Sequence, residues 1–262
     1  MSQRREIEGR LALYGDLAGI MRAMRSFALA ELHRVARRET AQNAVMETLA
    51  ATLRDLAPVI PAPPKCTGDV WLLLGSVRGF CGSFNEDVMR MWQAAGGQAA
   101  PVVVVGERLA AGLADNASRF VVPGPLGAVD AAAAVDRLLH ALGAARQLMP
   151  GEAGVMICYR DETAARSERL LPLLATMANT HAFLPMLQEP AKRVAEQVMT
   201  HYLFHALLAR LLHAIRVENR MRLTQMENAL RHLERSGEGL LLQRNRLRQE
   251  EIVEEIEVMV SQ

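Results

Sequence analysis

IEGRLALYGDLAGIMRAMRSFALAELHRV, residues 7–35, decides the fold. Its apolar residues fall at Ile7, Leu11, Tyr14, Leu17, Met21, Met24, Ala28, Leu32 and Val35, in steps of three and four. That spacing is close to a 3.5-residue repeat, the seam of a coiled coil. Met46, Leu49, Leu53 and Leu56 continue the stripe, and no proline interrupts residues 2–57. Pro58, Pro61, Pro63 and Pro64 then end the helix, because proline lacks an N–H and clashes with the preceding turn. At 1.5 Å per residue such a helix is roughly 80 Å long, too long for an ordinary globular domain.

The other end of the chain repeats the pattern. Pro190 opens a second proline-free stretch, a favoured role for proline at a first turn. Its stripe runs Val194, Val198, Leu203, Leu207, Leu211 and Ile215, then Met226, Leu230, Leu233, Ile252, Ile256 and Met259. The helix would measure about 100 Å. Its one soft spot is Ser236-Gly237-Glu238-Gly239, where two glycines cost roughly 2 kcal/mol against alanine. A tolerated kink and a purposeful bend both fit. Neither terminal helix can bury its stripe alone, so the pattern predicts an antiparallel coiled coil of the N- and C-terminal helices.

Between them the rules change. DVWLLL (69–74), PVVVV (101–105) and GVMICY (154–159) read as buried strands, and SRFVV (118–122) as a weaker one. RLLPLL (169–174) reads as an edge strand, since Pro172 donates no ladder bond. Helices are expected near 84–95, 106–115 and 128–147. Alternating strands and helices predict a central α/β, Rossmann-like domain with a mainly parallel sheet. The expected division is 1–57, 68–188 and 190–262.

Composition narrows the function. Half of the 262 residues are hydrophobic and 4% are aromatic, and the formal charge is +1. Such a balance argues against a strongly basic nucleic-acid binder and against a charged disordered tail. Lys65 and Lys192 are the only lysines among 30 basic residues, so arginine supplies the rest and can pair bidentately with carboxylates. Cys66, Cys81 and Cys158 form neither a disulfide framework nor a zinc ribbon, and a reducing compartment is expected. MSQRREIEGR lacks a signal-peptide core, and no run of 18 uncharged apolar residues suggests a bilayer span.

Three features could carry chemistry. GSVRGFCGSFN, Gly75–Asn85, joins a strand to a helix, where backbone N–H groups often bind phosphate. It matches neither GxGxxG nor GxxxxGK[ST], and reads equally as a tight turn in which Gly79 and Gly82 permit strained backbone. His201 and His205 have the i, i+4 spacing of metal sites, but Tyr202 stands where HEXXH needs glutamate. On the last helix, QRNRLRQEEIVEEIE (243–257) reads as a solvated charged face, with Arg246 positioned to pair with Glu250, or as a polar docking surface. A nucleotide-binding enzyme and a coiled-coil adaptor with a small α/β domain both remain open at this point.

The chain also resembles the gamma subunit of rotary F-type ATP synthases. Ile7, Arg10 and Leu11, then Ile20, Ala23 and Met24, fill the family's N-terminal pattern. Ser76, Val77, Arg78, Gly79, Phe80, Cys81, Gly82, Ser83, Phe84 and Asn85 are similar to its central Ser-Asp-Arg-Gly-Leu-Cys-Gly-Gly-Leu-Asn. Glu218, Arg222, Met226, Ala229, Asn245, Arg246, Arg248, Gln249 and Ile252 match the C-terminal one. Val77, Val217 and Glu31 depart from the family's aspartate, serine and common lysine, and Arg244 replaces a frequent tyrosine. Together with the short middle domain these departures suggest a divergent branch.

The resemblance implies a non-catalytic rotor stalk with no cofactor or metal of its own. It implies alpha and beta subunits around the coiled coil, and an epsilon subunit and membrane ring of c subunits at the α/β domain. It further implies contact with beta through Arg22, Met24, Arg25, Asn245, Arg246, Arg248 and Gln249. Arg78, Gly79, Cys81 and Gly82 would form a structural turn. A bacterial inner membrane, cytoplasmic face, is the implied location.

Overall fold

A computed structural model describes residues 2–58, 65–113, 119–172 and 186–261. The first helix, α1, covers Ser2–Leu56. Strand β1 (Gly68–Leu74) leads to α2 (Phe84–Ala94), β2 (Val102–Val105), α3 (Glu107–Gly112) and β3 (Arg119–Val122). Helix α4 (Ala131–Gln147), entered through a short 3₁₀ turn at Ala128–Asp130, precedes β4 (Ala153–Arg160) and β5 (Ala165–Leu171). The last helix, α5, spans Ala191–Val260. Pro61, Pro63, Pro64 and His181 lie outside the described residues, as does the far end of the expected edge strand.

The chain divides into two compact units, Met1–Ala30 with Arg222–Gln262, and Glu31–Met221. The first consists of opposite chain ends. Arg4 donates to Glu251 at 2.8 Å, so the start of α1 meets the far part of α5 and the pairing is antiparallel. Ile7, Ala18 and Ala28 of α1 and Met226, Leu230 and Leu240 of α5 are buried. Past Glu251 the expected seam fails: Ile252, Ile256 and Met259 are exposed. Among the described residues Arg4 of α1 lies opposite Glu251, one residue short of this exposed stretch.

The Ser236–Gly239 segment neither breaks nor leaves the helix. A Cβ built at Gly237 or Gly239 meets nothing within 4 Å. Gly237→Ala and Gly239→Ala should therefore each stabilise the lone chain by about 0.5–1 kcal/mol, by removing unfolded-state freedom. Thermal melting followed by circular dichroism checks this. A lowered midpoint would mean that α5 needs a bend there.

The second unit is built on a five-stranded sheet of order β3-β2-β1-β4-β5. β1 pairs parallel with β2 and β4, β2 pairs parallel with β3, and β5 is an antiparallel edge. Successive β1 side chains point to opposite faces. Val70, Leu72 and Leu74 enter a core with Leu138 and Leu142 of α4 and Leu207 and Leu211 of α5. Trp71 and Leu73 face the other way, onto Val88 and Trp92 of α2 and Leu109 of α3. Both faces are thus covered, as parallel sheets require. Cys158 lies in this second layer, where burial pushes its thiol up to about 12.

One window of α5 is apolar enough to pass a bilayer test by hydropathy. Of that window 28% is buried. The charged residues of β5 are engaged in ion pairs. Arg169 grips Asp69 with both guanidinium nitrogens, at 2.6 and 2.8 Å, and Glu168 pairs with Arg210. Here ion pairs, in place of apolar alternation, hold an edge strand to its neighbours.

Candidate partner surface and strand-to-helix turn

Two regions collect the residues singled out from the sequence. The first is on the paired helices. Arg22 and Arg25 of α1 line a groove of about 410 Å³ together with Glu227, Leu230, Arg231 and Glu234 of α5. Among the described residues neither Arg22 nor Arg25 has a side-chain ion pair, whereas Arg231 donates to Asn228 at 2.6 Å. Three guanidinium groups against two carboxylates leave the groove with an excess of positive charge at neutral pH. Met24 is half-buried beside it.

Glu227, Arg231 and Glu234 were not legible as site residues. They repeat at i, i+4 and i+7 beside the buried Met226 and Leu230, a pattern that any solvated helix face also shows. Asn245, Arg246, Arg248 and Gln249 are exposed farther along α5. Arg246 pairs with Glu250 at 3.0 Å, as its spacing suggests, and Asn245 accepts a bond from Arg244 at 3.2 Å. Arg248 and Gln249 make no side-chain hydrogen bond among the described residues.

The second region is the Gly75–Asn85 turn. It leaves β1 beside β4, the point where strand order reverses and where doubly wound folds usually bind ligands. Here the turn's own groups fill that place. The Gly75 N–H donates to the Val105 carbonyl at 2.8 Å. The Ser76 N–H donates to Asn85 Oδ1, and Asn85 Nδ2 donates back to Ser76 Oγ, both at 2.9 Å. Cys81 Sγ donates to the same hydroxyl at 3.4 Å. Cys81 and Phe84 are buried in the main core. Glu86 and Asp87 occupy the first turn of α2, which disfavours an anion there.

The left-handed backbone in this turn belongs to Phe80, at φ 62°, and Gly82, at φ 61°. The expectation for Gly79 is corrected: the chain reverses one residue later, and Gly79 sits beneath the Arg108 guanidinium instead. Arg78 and Phe80 are exposed. His201 and His205 do not gather a metal set either. His205 bonds Gln42, and burial lowers its pKa. No group of three or more His, Cys, Asp or Glu side chains arranged for a metal occurs among the described residues.

Comparison with known proteins gives a consistent result. A family model described as ATP synthase matches residues 3–261. The ATP synthase gamma chain of Akkermansia muciniphila is 23% identical, over 98% of this chain and 96% of its own. Among solved structures, a chain of the Euglena gracilis mitochondrial ATP synthase OSCP/F1/c-ring assembly is similar with a TM-score of 0.67. It is 15% identical, with 99% of this chain and 93% of that chain covered. A chain of the Tetrahymena thermophila mitochondrial ATP synthase central stalk and c-ring has a TM-score of 0.57 at 16% identity, covering 80% and 99%. These structures share the fold, and the family match extends over nearly every residue. A long-helix pair joined to a doubly covered sheet, with the three motifs in order, therefore belongs to the ATP synthase family, as its gamma chain.

Proposed function

We propose that this chain is the central rotor shaft coupling ion flow through a membrane ring of c subunits to ATP synthesis or hydrolysis at beta subunits. One observation carries the reading. The paired ends of α1 and α5 expose Leu13, Ile20 and Phe27, and also Leu242, Ile256 and Val260. Phe27 is 71% and Leu242 72% exposed. Leu13, Ile20 and Phe27 recur every seven residues and so share one face of α1, and an apolar face left open along a helix pair favours enclosure by another protein. An alpha–beta ring is that enclosure, with the epsilon subunit and c ring at the sheet-bearing unit.

In this role the chain performs no chemistry and holds no cofactor. An asymmetric shaft contacts each beta subunit differently, and a differential contact is what shifts a conformational equilibrium. Rotation moves the bias from one site to the next, and reciprocity lets nucleotide turnover drive the shaft. Arg22, Met24 and Arg25, with Asn245, Arg246, Arg248 and Gln249, make the contacts with beta. The excess positive charge of the Arg22–Arg25 groove suits carboxylates there through charge-assisted bonds. The assembly places the chain peripherally, at the cytoplasmic face of a bacterial membrane.

Co-expression with alpha and beta should yield a purified complex that hydrolyses ATP. A chain that stays out of such a complex would refute the reading. Within the reconstituted membrane complex, Arg248→Ala should lower ion transport per ATP hydrolysed about threefold, the scale of a partly exposed charge-assisted contact. Nucleotide binding by beta should not change. A transport ratio equal to wild type would remove Arg248 from the interface.

A further inference from the structure

Glu31 is an ionisable side chain almost wholly withdrawn from water, at 7% exposure, on an otherwise amphipathic helix. It is the first residue of the sheet-bearing unit. Its Oε1 accepts the Ala128 N–H at 2.5 Å, and its Oε2 accepts a bond from Arg34 at 2.9 Å. Seven residues on, and so on the same face of α1, Arg38 donates to the Ala128 carbonyl and to Val129 O. Val35 lies between them, fully buried against Ala128, Ala131, Leu212 and Ile215.

Both backbone groups of one buried residue are therefore taken by side chains two helical turns apart on α1. Gly127 completes the fit: a Cβ there would stand 2.6 Å from Glu31 Oε1. Ala128 opens the 3₁₀ turn into α4, whose Leu138 and Leu142 lie in the main core of the sheet. A purely apolar contact would let α1 slide or turn about its own axis at small cost. Two polar contacts to one fixed residue do not. α1 continues from Glu31 without interruption back to Ser2.

We propose that this clasp is the joint that locks the rotation of α1 to the sheet, and that Glu31 is a positioning residue for torque transfer. The proposal rests on the rotor reading given above. Force applied to the sheet-bearing unit reaches the α1 segment Glu31–Arg38 through Ala128, and the buried carboxylate holds that segment from turning about its own axis. The unusual acid at this position is accounted for by the N–H it accepts, which a lysine could not do.

The test uses the full complex in vesicles, with ATP hydrolysis and the membrane potential it builds measured together. Glu31→Ala and Gly127→Ala should each lower the potential generated per ATP hydrolysed about fivefold, the lower range of coupling between sites. Both should assemble at normal subunit stoichiometry. Gly127→Ala displaces only the free end of the Glu31 side chain, so it probes the clasp without opening a cavity. Glu31→Gln keeps an oxygen for the Ala128 N–H and should keep the wild-type ratio. Wild-type ratios in Glu31→Ala and Gly127→Ala would overturn the proposal. So would a Glu31→Gln ratio as low as that of alanine, or failure of both variants to assemble, which would make the clasp a folding element only. Absence of ATP-driven potential in the wild-type complex would fault the rotor reading itself.

Discussion

Gly106→Ala should remove a large share of the chain's stability. Gly106 stands between β2 and α3 with φ 98° and ψ 124°, a region essentially reserved for glycine. A Cβ there would lie 2.7 Å from the Ser76 carbonyl oxygen and 2.9 Å from that of Gly75. Both obstacles are backbone atoms, so no rotamer change relieves them. The residue is also fixed by its own bonds. Its N–H donates to Val122 O at 3.1 Å, and its carbonyl accepts from Ala110 at the start of α3. Backbone strain of about 1–3 kcal/mol adds to the displacement of two neighbouring strand ends. The expected loss is about 4 kcal/mol or more, against a typical total of about 5–15 kcal/mol. Denaturant unfolding of the lone chain, or yield of the assembled complex, measures it.

Gly96→Ala supplies the control. Gly96 also has positive φ, 75°, but a Cβ there meets nothing within 4 Å. Only the left-handed penalty applies, about 1–2 kcal/mol. If Gly106→Ala were no worse than Gly96→Ala, the close approach of β1 and β2 at Gly75 and Gly106 would not be the constraint described.

The contrast shows what a sequence can and cannot reveal. The stripe from Ile7 to Val35 was legible because each helical turn repeats the same demand, and every one of its residues is buried or half-buried. The valine run of β2 was legible because strands covered on both faces need no polar alternation. Glu31 was legible only as a departure from a family pattern. Its partner, the Ala128 N–H, is 97 positions away, and a backbone donor leaves no trace in a sequence. The same holds for Phe80, whose left-handed φ follows from where the chain must reverse. Arg22 and Arg25 were reached through resemblance. Their groove partners Glu227, Arg231 and Glu234 needed the register of α1 against α5, which periodicity does not set.

Asn85→Leu is the second large effect, and it decides what the glycine-rich turn is for. Asn85 bonds Ser76 twice, accepting from its N–H and donating to its hydroxyl. Ser76 is fully buried. Leucine has the same branched set of four side-chain heavy atoms as asparagine but neither donates nor accepts, so the Ser76 N–H would remain inside without an acceptor. A stranded buried donor costs about 1–3 kcal/mol, and the lost bond to the hydroxyl adds about 1 kcal/mol. The expected destabilisation is about 3 kcal/mol. Asn85→Asp should cost less, because its carboxylate still accepts the N–H and the serine hydroxyl can rotate to donate. Combining Asn85→Leu with Ser76→Ala should cost less than the sum of the two, since both remove the same bond. A turn kept open for a ligand would behave differently: its donors would be free, and Asn85→Leu would leave stability within about 0.5 kcal/mol of wild type, as for a surface change. The lock between Ser76, Cys81 and Asn85 instead commits those donors to holding α2 against the end of β1, where Phe84 enters the core. The motif thus supplies a rigid corner for the unit that holds α1 through Ala128.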